Sequence, residues 1–421
     1  MKRLPRLVLA GSIAAATLAP HPAAAAIAWG PQRTAANWSW TSGSSLAVTG
    51  SGSSTNVDLL FPSDFVAGSF ATDHGPYEGV FLTSSDDRGQ TWSDPARVSQ
   101  PAKHADRGAL AADGSHLYAA WVTQTSYDHY NPAAHRILYF RADPNASPSG
   151  WGPTVRLSKT KGRVDRATVA ADHGRVYVTW TDANTGDVRM AITTDGGKSW
   201  KRSVVGKAKG SDPGGEGRVG LPSIAATGST VGVTWLGTSN GAVKARISTN
   251  GGKSWHPTVT LVPSGGAANG GSPAVAASGG RLAFAWTTQA ALWVRTWKGG
   301  ALSAARQVAA FRGSSPYGGG YDVAVALTGS TVGVTWSGCR STSCDPNSAL
   351  TRTSLLWSQA PATGGSWTSP DVIRAATAAD QRINDGASEI WLDPSTRLVA
   401  YAGYVAGFTT YRLYTRVGSS S

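Results

Sequence analysis

Acidic residues and arginines recur along this chain at matching places in a repeating unit. Asp106-Arg107, Asp165-Arg166, Glu216 with Arg218, Tyr321-Asp322, and Arg382 with Asp385 each stand just ahead of a short run of small, strand-forming residues. A guanidinium presents a planar fork that fits the carboxylate of an acidic sugar, and a nearby carboxyl can donate or accept a proton. Two carboxyls at the right separation suffice for glycoside hydrolysis, and sequence does not give that separation. The plainer reading is ion pairing between neighbouring units, or hydrogen bonding to loop amides. More polar residues gather in two long segments, one with Asp73, His74 and Glu78 and one with Tyr127-Asp128-His129-Tyr130, and Asp182 stands in a shorter one. Long loops on a rigid scaffold commonly carry function. Trp38 and Trp40 fall outside the repeated positions. They fit an aromatic platform under a sugar ring and ordinary packing equally well.

Two interleaved repeats supply the frame for these residues. The first is an eight-residue passage found three times: Ser85-Asp86-Asp87-Arg88-Gly89-Gln90-Thr91-Trp92, Thr193-Thr194-Asp195-Gly196-Gly197-Lys198-Ser199-Trp200 and Ser248-Thr249-Asn250-Gly251-Gly252-Lys253-Ser254-Trp255. The second is a strand ending in Trp121, Trp180, Trp235, Trp286 and Trp336, at spacings of 59, 55, 51 and 50 residues. Two weaker copies, around Val57–Phe61 and Leu398–Tyr401, bring the count to seven units. Each unit predicts four strands, with the eight-residue passage on the turn between the third and fourth. Fourth strands are expected to begin at Trp92, Trp151, Trp200, Trp255 and Trp367. The last unit lacks one, and Trp29-Gly-Pro-Gln-Arg-Thr34 resembles Trp151-Gly-Pro-Thr-Val-Arg156. The expected fold is therefore all-β: a seven-bladed β-propeller of four-stranded antiparallel blades, closed by the N-terminal strand completing the last blade. Closure removes the open edge that a terminal sheet would expose.

In the eight-residue passages, Asp87, Asp195 and Asn250 can accept turn amides, while Gly89, Gly197 and Gly252 permit a positive φ. Trp92, Trp200 and Trp255 provide apolar area between sheets. At these motifs the chain resembles the Asp-box, or BNR-repeat, proteins, of which sialidases are the best-known family. The resemblance covers the whole chain after residue 26 at the level of blades, and it implies boxes on the face opposite the ligand. For a sialidase it further implies three arginines for the substrate carboxylate, placed by analogy at Arg166, Arg218 and Arg382. Asp106 would be the acid/base, and Tyr321 beside Glu216 the nucleophile. Arg107, Asp165, Asp322, Asp385, Trp38, Trp40, His74, Asp128 and His129 would complete the ligand face. Two departures stand against sialidase chemistry. That family has six blades, and its early Arg-Ile-Pro motif is not intact here; the nearest echoes are Asp106-Arg107, Asp165-Arg166 and Arg218-Val-Gly-Leu-Pro222.

Residues 1–26 have a basic start (Lys2, Arg3, Arg6), an apolar run from Leu7 to Ala19, and Ala24-Ala25-Ala26 before Ile27. This is the pattern of a secretory signal peptide, leaving 27–421 as one secreted domain. Loss of the three leader cations takes the formal net charge from +13 to +10, a balance that favours acidic partners such as anionic polysaccharides. Lys and Arg are scattered, so a solvated surface accounts for the charge more simply. No basic stripe with interleaved aromatics points to nucleic acid, and no second apolar run points to a membrane. Cys339 and Cys344 are expected to form one small disulfide in an exported protein. No ligand group around them suggests a metal, and no cofactor is expected. The expected partner of this monomer is an extracellular glycan. An exo-acting glycoside hydrolase and a protein-interaction scaffold are the alternatives.

Overall fold

The computed structural model describes residues 27–36, 44–50, 55–63, 65–66, 69–70, 79–100, 104–124, 135–147, 150–159, 162–208, 220–237, 242–262, 273–288, 291–311, 323–338, 354–374, 383–391, 395–405 and 410–420. All regular structure among them is β, arranged as seven antiparallel blades in a ring. The innermost strands of blades 1 to 7 are Ser45–Thr49, His104–Asp113, Val164–Asp172, Ser223–Thr227, Ala274–Ser278, Val323–Leu327 and Ile383–Trp391. A small hairpin, Phe65–Val66 with Ser69–Phe70, stands apart from the blades.

The second strands carry the predicted tryptophans, and Trp121, Trp180, Trp235, Trp286 and Trp336 are all buried. A ring of this size between sheets removes a large apolar area from water, worth a few kcal/mol per residue. The fourth strands depart from expectation. They begin after the tryptophan, at Ala96, Val155, Val259 and Asp371 in blades 1, 2, 4 and 6. Pro95, Pro153, Pro257 and Pro370 stand in between. A proline cannot donate to the ladder, so pairing starts beyond it. Blade 3 has no such proline, and its fourth strand runs Lys201–Lys207 directly from Trp200.

The ring closes as expected. Ile27–Trp29 and Arg33–Ala36 both pair with Thr410–Ser420 of blade 7, with Trp29 opposite Gly418 and Arg33 opposite Thr415. Gly30-Pro31-Gln32 interrupts the pairing, and the third strand continues past Arg416 to Ser420.

Candidate functional site

In a four-stranded antiparallel blade, the first-to-second and third-to-fourth turns lie at one end. Second-to-third turns and crossovers between blades lie at the other. The eight-residue passages span third-to-fourth turns, so they share a face with the tight turns that follow the inner strands. The starts of the inner strands line the opposite face.

The three eight-residue turns are built alike. In the first, Asp87 Oδ1 accepts the amides of Gln90 and Thr91, each at 2.8 Å, and the Ser85 hydroxyl at 2.7 Å. Ser85 in turn accepts the Gly89 amide at 2.7 Å. Asp195 repeats this with Ser199 and Thr193, and Asn250 with Ser254 and Ser248. Burial opposes ionisation of Asp87, but bonds from Thr91, Ser85 and Gln90 outweigh it and hold the carboxyl at about 2. Asp195 is lowered further, chiefly by the Ser199 hydroxyl. Gly89, Gly197 and Gly252 have φ of 91°, 98° and 80°. Each turn packs on the preceding blade. A Cβ on Gly197 would meet Phe140, and one on Gly89 would meet Leu398. The Trp200 ring stands edge-on to Phe140, with centroids 4.9 Å apart. These residues are joints of the scaffold.

Arginine performs a second joining role that the sequence reading missed. Arg141 donates from Nε to Gly152 O (2.7 Å) in its own blade and from Nη1 to Val98 O (2.8 Å) in the preceding one. Arg246 does the same with His256 O (3.1 Å) and Val205 O (3.0 Å). Arg416 repeats it with Gly30 O and Ile373 O. All three stand at one register of the third strand, opposite Ala119, Val233 and Val399, each two residues before the second-strand aromatic Trp121, Trp235 or Tyr401. That register was the available signal. At the end of the inner strands on the face of the eight-residue turns, Asp113 accepts the Gly174 amide of the next blade at 2.5 Å, and Asp172 accepts that of Gly228.

On the opposite face, the sequence placed the acid-arginine pairs ahead of the inner strands. Asp106-Arg107, Asp165-Arg166 and Asp385 instead lie within them, at β-bulges. Arg107 and Gly108 together oppose Trp121, Asp165 and Arg166 oppose Thr181, and residues 385–387 oppose Tyr401. A bulge lets a strand carry an extra residue while pairing continues. Arg166 is half-buried. Asp182, on the second strand of blade 3, belongs to a structural network: Arg189 contacts Asp182 at 3.2 Å and Asp187 at 2.7 Å, and Lys207 reaches Asp187 at 2.6 Å. The Lys207 bond is the main cause of the lowered Asp187 pKa. Trp38, Trp40, His74, Asp128, His129, Glu216, Arg218, Tyr321, Asp322 and Arg382 lie outside the described residues, as do Cys339 and Cys344.

No protein-family profile matches the chain, and no curated protein matches it. Solved structures do. The fold is similar to that of a protein of unknown function from Dyadobacter fermentans, with a TM-score of 0.52 and 11% identity over 94% of this chain and 99% of that one. A sialidase from Trypanosoma rangeli gives 0.47 and 10%, covering 91% of this chain and 55% of its own. A six-bladed, fucose-recognising lectin from Aleuria aurantia gives 0.46 and 11%, covering 82% of this chain and 99% of its own. This chain thus spans about half the length of that sialidase. At 11% identity the likeness to the Dyadobacter fermentans protein bears on fold alone.

Proposed function

We propose that this protein is a secreted, sialidase-like Asp-box propeller that recognises extracellular glycans through the face opposite the eight-residue turns. The observation that carries the reading is the recurrence of inner-strand bulges at Asp106-Arg107, Asp165-Arg166 and Asp385 on that face. Bulges interrupt a ladder at a cost in pairing and are concentrated beside functional sites. Blades 2, 3 and 7 keep one at these positions, whereas the inner strands of blades 1, 4, 5 and 6 pair without interruption. An arginine fork and neighbouring carboxyls at the rim of a propeller suit hydroxylated, anionic ligands.

The experiment is a glycan array probed with the wild-type chain and with Arg166→Ala. The expected outcome is retention of a defined set of acidic glycans, weakened at least tenfold in the variant. Absence of retention, or equal retention by both proteins, would remove the reading.

A further inference from the structure

The positive charge of this chain is unevenly placed. Residues 193–321, from the eight-residue turn of blade 3 to the approach of blade 6, hold 14 lysines and arginines against three acids. The rest of the chain after residue 26 holds 21 against 22. In sequence the cations look scattered, because they form no dense run. Sorted by blade, the excess belongs to blades 4 and 5 and the outer edge of blade 3. Charge gathered on one sector of a rigid ring sets up a directed field, which an evenly charged surface does not.

Three of these cations stand at the tips of successive blades on the turn face. Lys198 and Lys253 follow Gly197 and Gly252 in their eight-residue turns, and Lys298 opens the third-to-fourth turn of blade 5, paired across it with Ala301. All three are exposed, and among the described residues their ammonium groups have no partner. The turns adjoin one another. A Cβ on Gly252 would lie 2.7 Å from Cδ1 of Ile192, one residue before the blade 3 turn. Trp297, beside Lys298, shares a core cluster with Ile247, one residue before the blade 4 turn. Little acid offsets the row. Asn250 stands in blade 4 where the other two passages have Asp, the blade 5 turn has no acid, and Asp195 is engaged by the Thr193 and Ser199 hydroxyls. Behind the tips, Arg246 and Arg295 donate to carbonyls, which leave their charge uncancelled. The row is confined to this sector: the corresponding turns of blades 2 and 6 hold no lysine or arginine, and blade 1 has Gln90 where Lys198 stands.

We infer that the turn face of blades 3 to 5 is a second interaction surface, which holds an anionic polysaccharide along the row Lys198, Lys253 and Lys298. An ammonium is a compact point charge on a flexible stem, so it accepts carboxylate and sulfate alike. Trp200 and Trp255 are packed into the seams beside the row and offer no platform for stacked bases, which nucleic-acid surfaces need. The surface therefore reads the charge density of a chain, and several weak contacts made at once give the affinity. It lies on the opposite side of the ring from the bulged inner-strand starts, and failure of either face leaves the other standing.

Fluorescence anisotropy of labelled polysaccharides with the full chain tests this, using polygalacturonate, its methyl ester and dextran sulfate, with single-stranded DNA as a further probe. Polygalacturonate or dextran sulfate should bind, and the tighter of the two names the charged group. Affinity should fall at least about tenfold between about 50 and 200 mM salt, because released counterions drive such binding. The uncharged ester should not bind. Lys198→Gln, Lys253→Gln and Lys298→Gln combined should weaken binding at least about tenfold, each exposed contact contributing a factor of up to about five. Arg33→Gln, Arg156→Gln and Lys159→Gln combined remove the same charge from exposed positions outside the row and should bind nearly as wild type. Both triple variants should melt with the wild type, since all six side chains are exposed. Equal weakening in the two would show that net charge alone governs binding and would overturn the inference. Loss of binding in Arg166→Ala with the lysine variant unaffected would overturn it and assign the polymer to the opposite face. No binding of either acidic polymer, retention of the ester, or tighter binding of DNA than of both polymers would also overturn it.

Discussion

Arg416 Nε donates to the carbonyl of Gly30 at 2.8 Å, across 386 residues of chain. Arg141 makes the same bond to Gly152 at 2.7 Å within blade 2. The backbone agrees, because the Gly30 amide donates to Val417 O and the Gly152 amide to Ala142 O, both at 2.8 Å. Gly30 thus stands in blade 7 where an ordinary fourth strand would place its glycine. The seal between the chain ends is the repeat itself, made from two distant pieces.

Arg416→Ala should therefore cost more than an exposed arginine would. It removes a clamp on Gly30 and one on Ile373, and buried carbonyls lose charged donors. The expected loss is about 2–4 kcal/mol. Arg416→Lys should recover little, since an ammonium cannot span both carbonyls as a fork does. Denaturant unfolding of both variants checks this, and a lysine variant as stable as wild type would contradict it.

Acid should loosen the eight-residue turns. Asp87 sits at about 2 in the folded chain against an ordinary 3.8. A lowered folded pKa contributes stability above the unfolded value, and that contribution is lost as pH falls from about 4 towards 2. Asn250 shows that an amide serves the same turn. Asp87→Asn should then unfold at a temperature less sensitive to pH in this window. The difference should be modest, because the turn faces solvent. Melting curves at several acid pH values measure it.

The seven-fold count, the closing strand and the three turns were legible because each depends on residues that only one local geometry accommodates. Gly89, Gly197 and Gly252 must turn left-handed, and Trp121 and its counterparts must be buried. The beginnings of the fourth strands were less legible. Trp92 announces the turn, but Pro95 decides where the ladder starts. Asp106-Arg107 and Asp165-Arg166 fall inside the inner strands rather than ahead of them, since a bulge leaves no mark in periodicity beyond a slip of one residue. The arginine clamps escaped for a different reason. Arg141, Arg246 and Arg416 bond to backbone carbonyls of another blade, and a carbonyl has no sequence identity to search for.

Asp58 gives the opposite pH response to Asp87. It is 1% exposed, accepts hydroxyl bonds from Ser84 (2.6 Å) and Thr49 (3.1 Å), and faces the charge of Asp143. Burial is the main cause of its raised pKa; the two hydroxyls pull it down, and Asp143 adds to the rise. A raised folded value favours the folded chain below the unfolded pKa, and this advantage disappears as pH climbs through the folded one. Asp58→Asn keeps a polar group for both hydroxyls without the buried charge. It should raise the unfolding temperature near pH 7 and change it little near pH 3. Equal effects at both pH values would show that packing, not ionisation, governs the site.

Two neighbouring glycines separate backbone strain from contact between blades. Gly196 has φ 70° with open space where a Cβ would point, whereas Gly197 has φ 98° and its Cβ would lie 2.6 Å from Cε1 of Phe140. Gly196→Ala then meets only the left-handed penalty, about 1–2 kcal/mol. Gly197→Ala meets a similar penalty and must also push aside a buried ring, which already holds Trp200 edge-on at 4.9 Å. Overpacking of that kind adds about 1–3 kcal/mol. The second variant should be clearly the less stable in equilibrium unfolding. Phe140→Leu in the Gly197→Ala background should recover part of the difference, because it removes the clashing edge. If the double variant is no better than additive, the contact with blade 2 is not what demands glycine there.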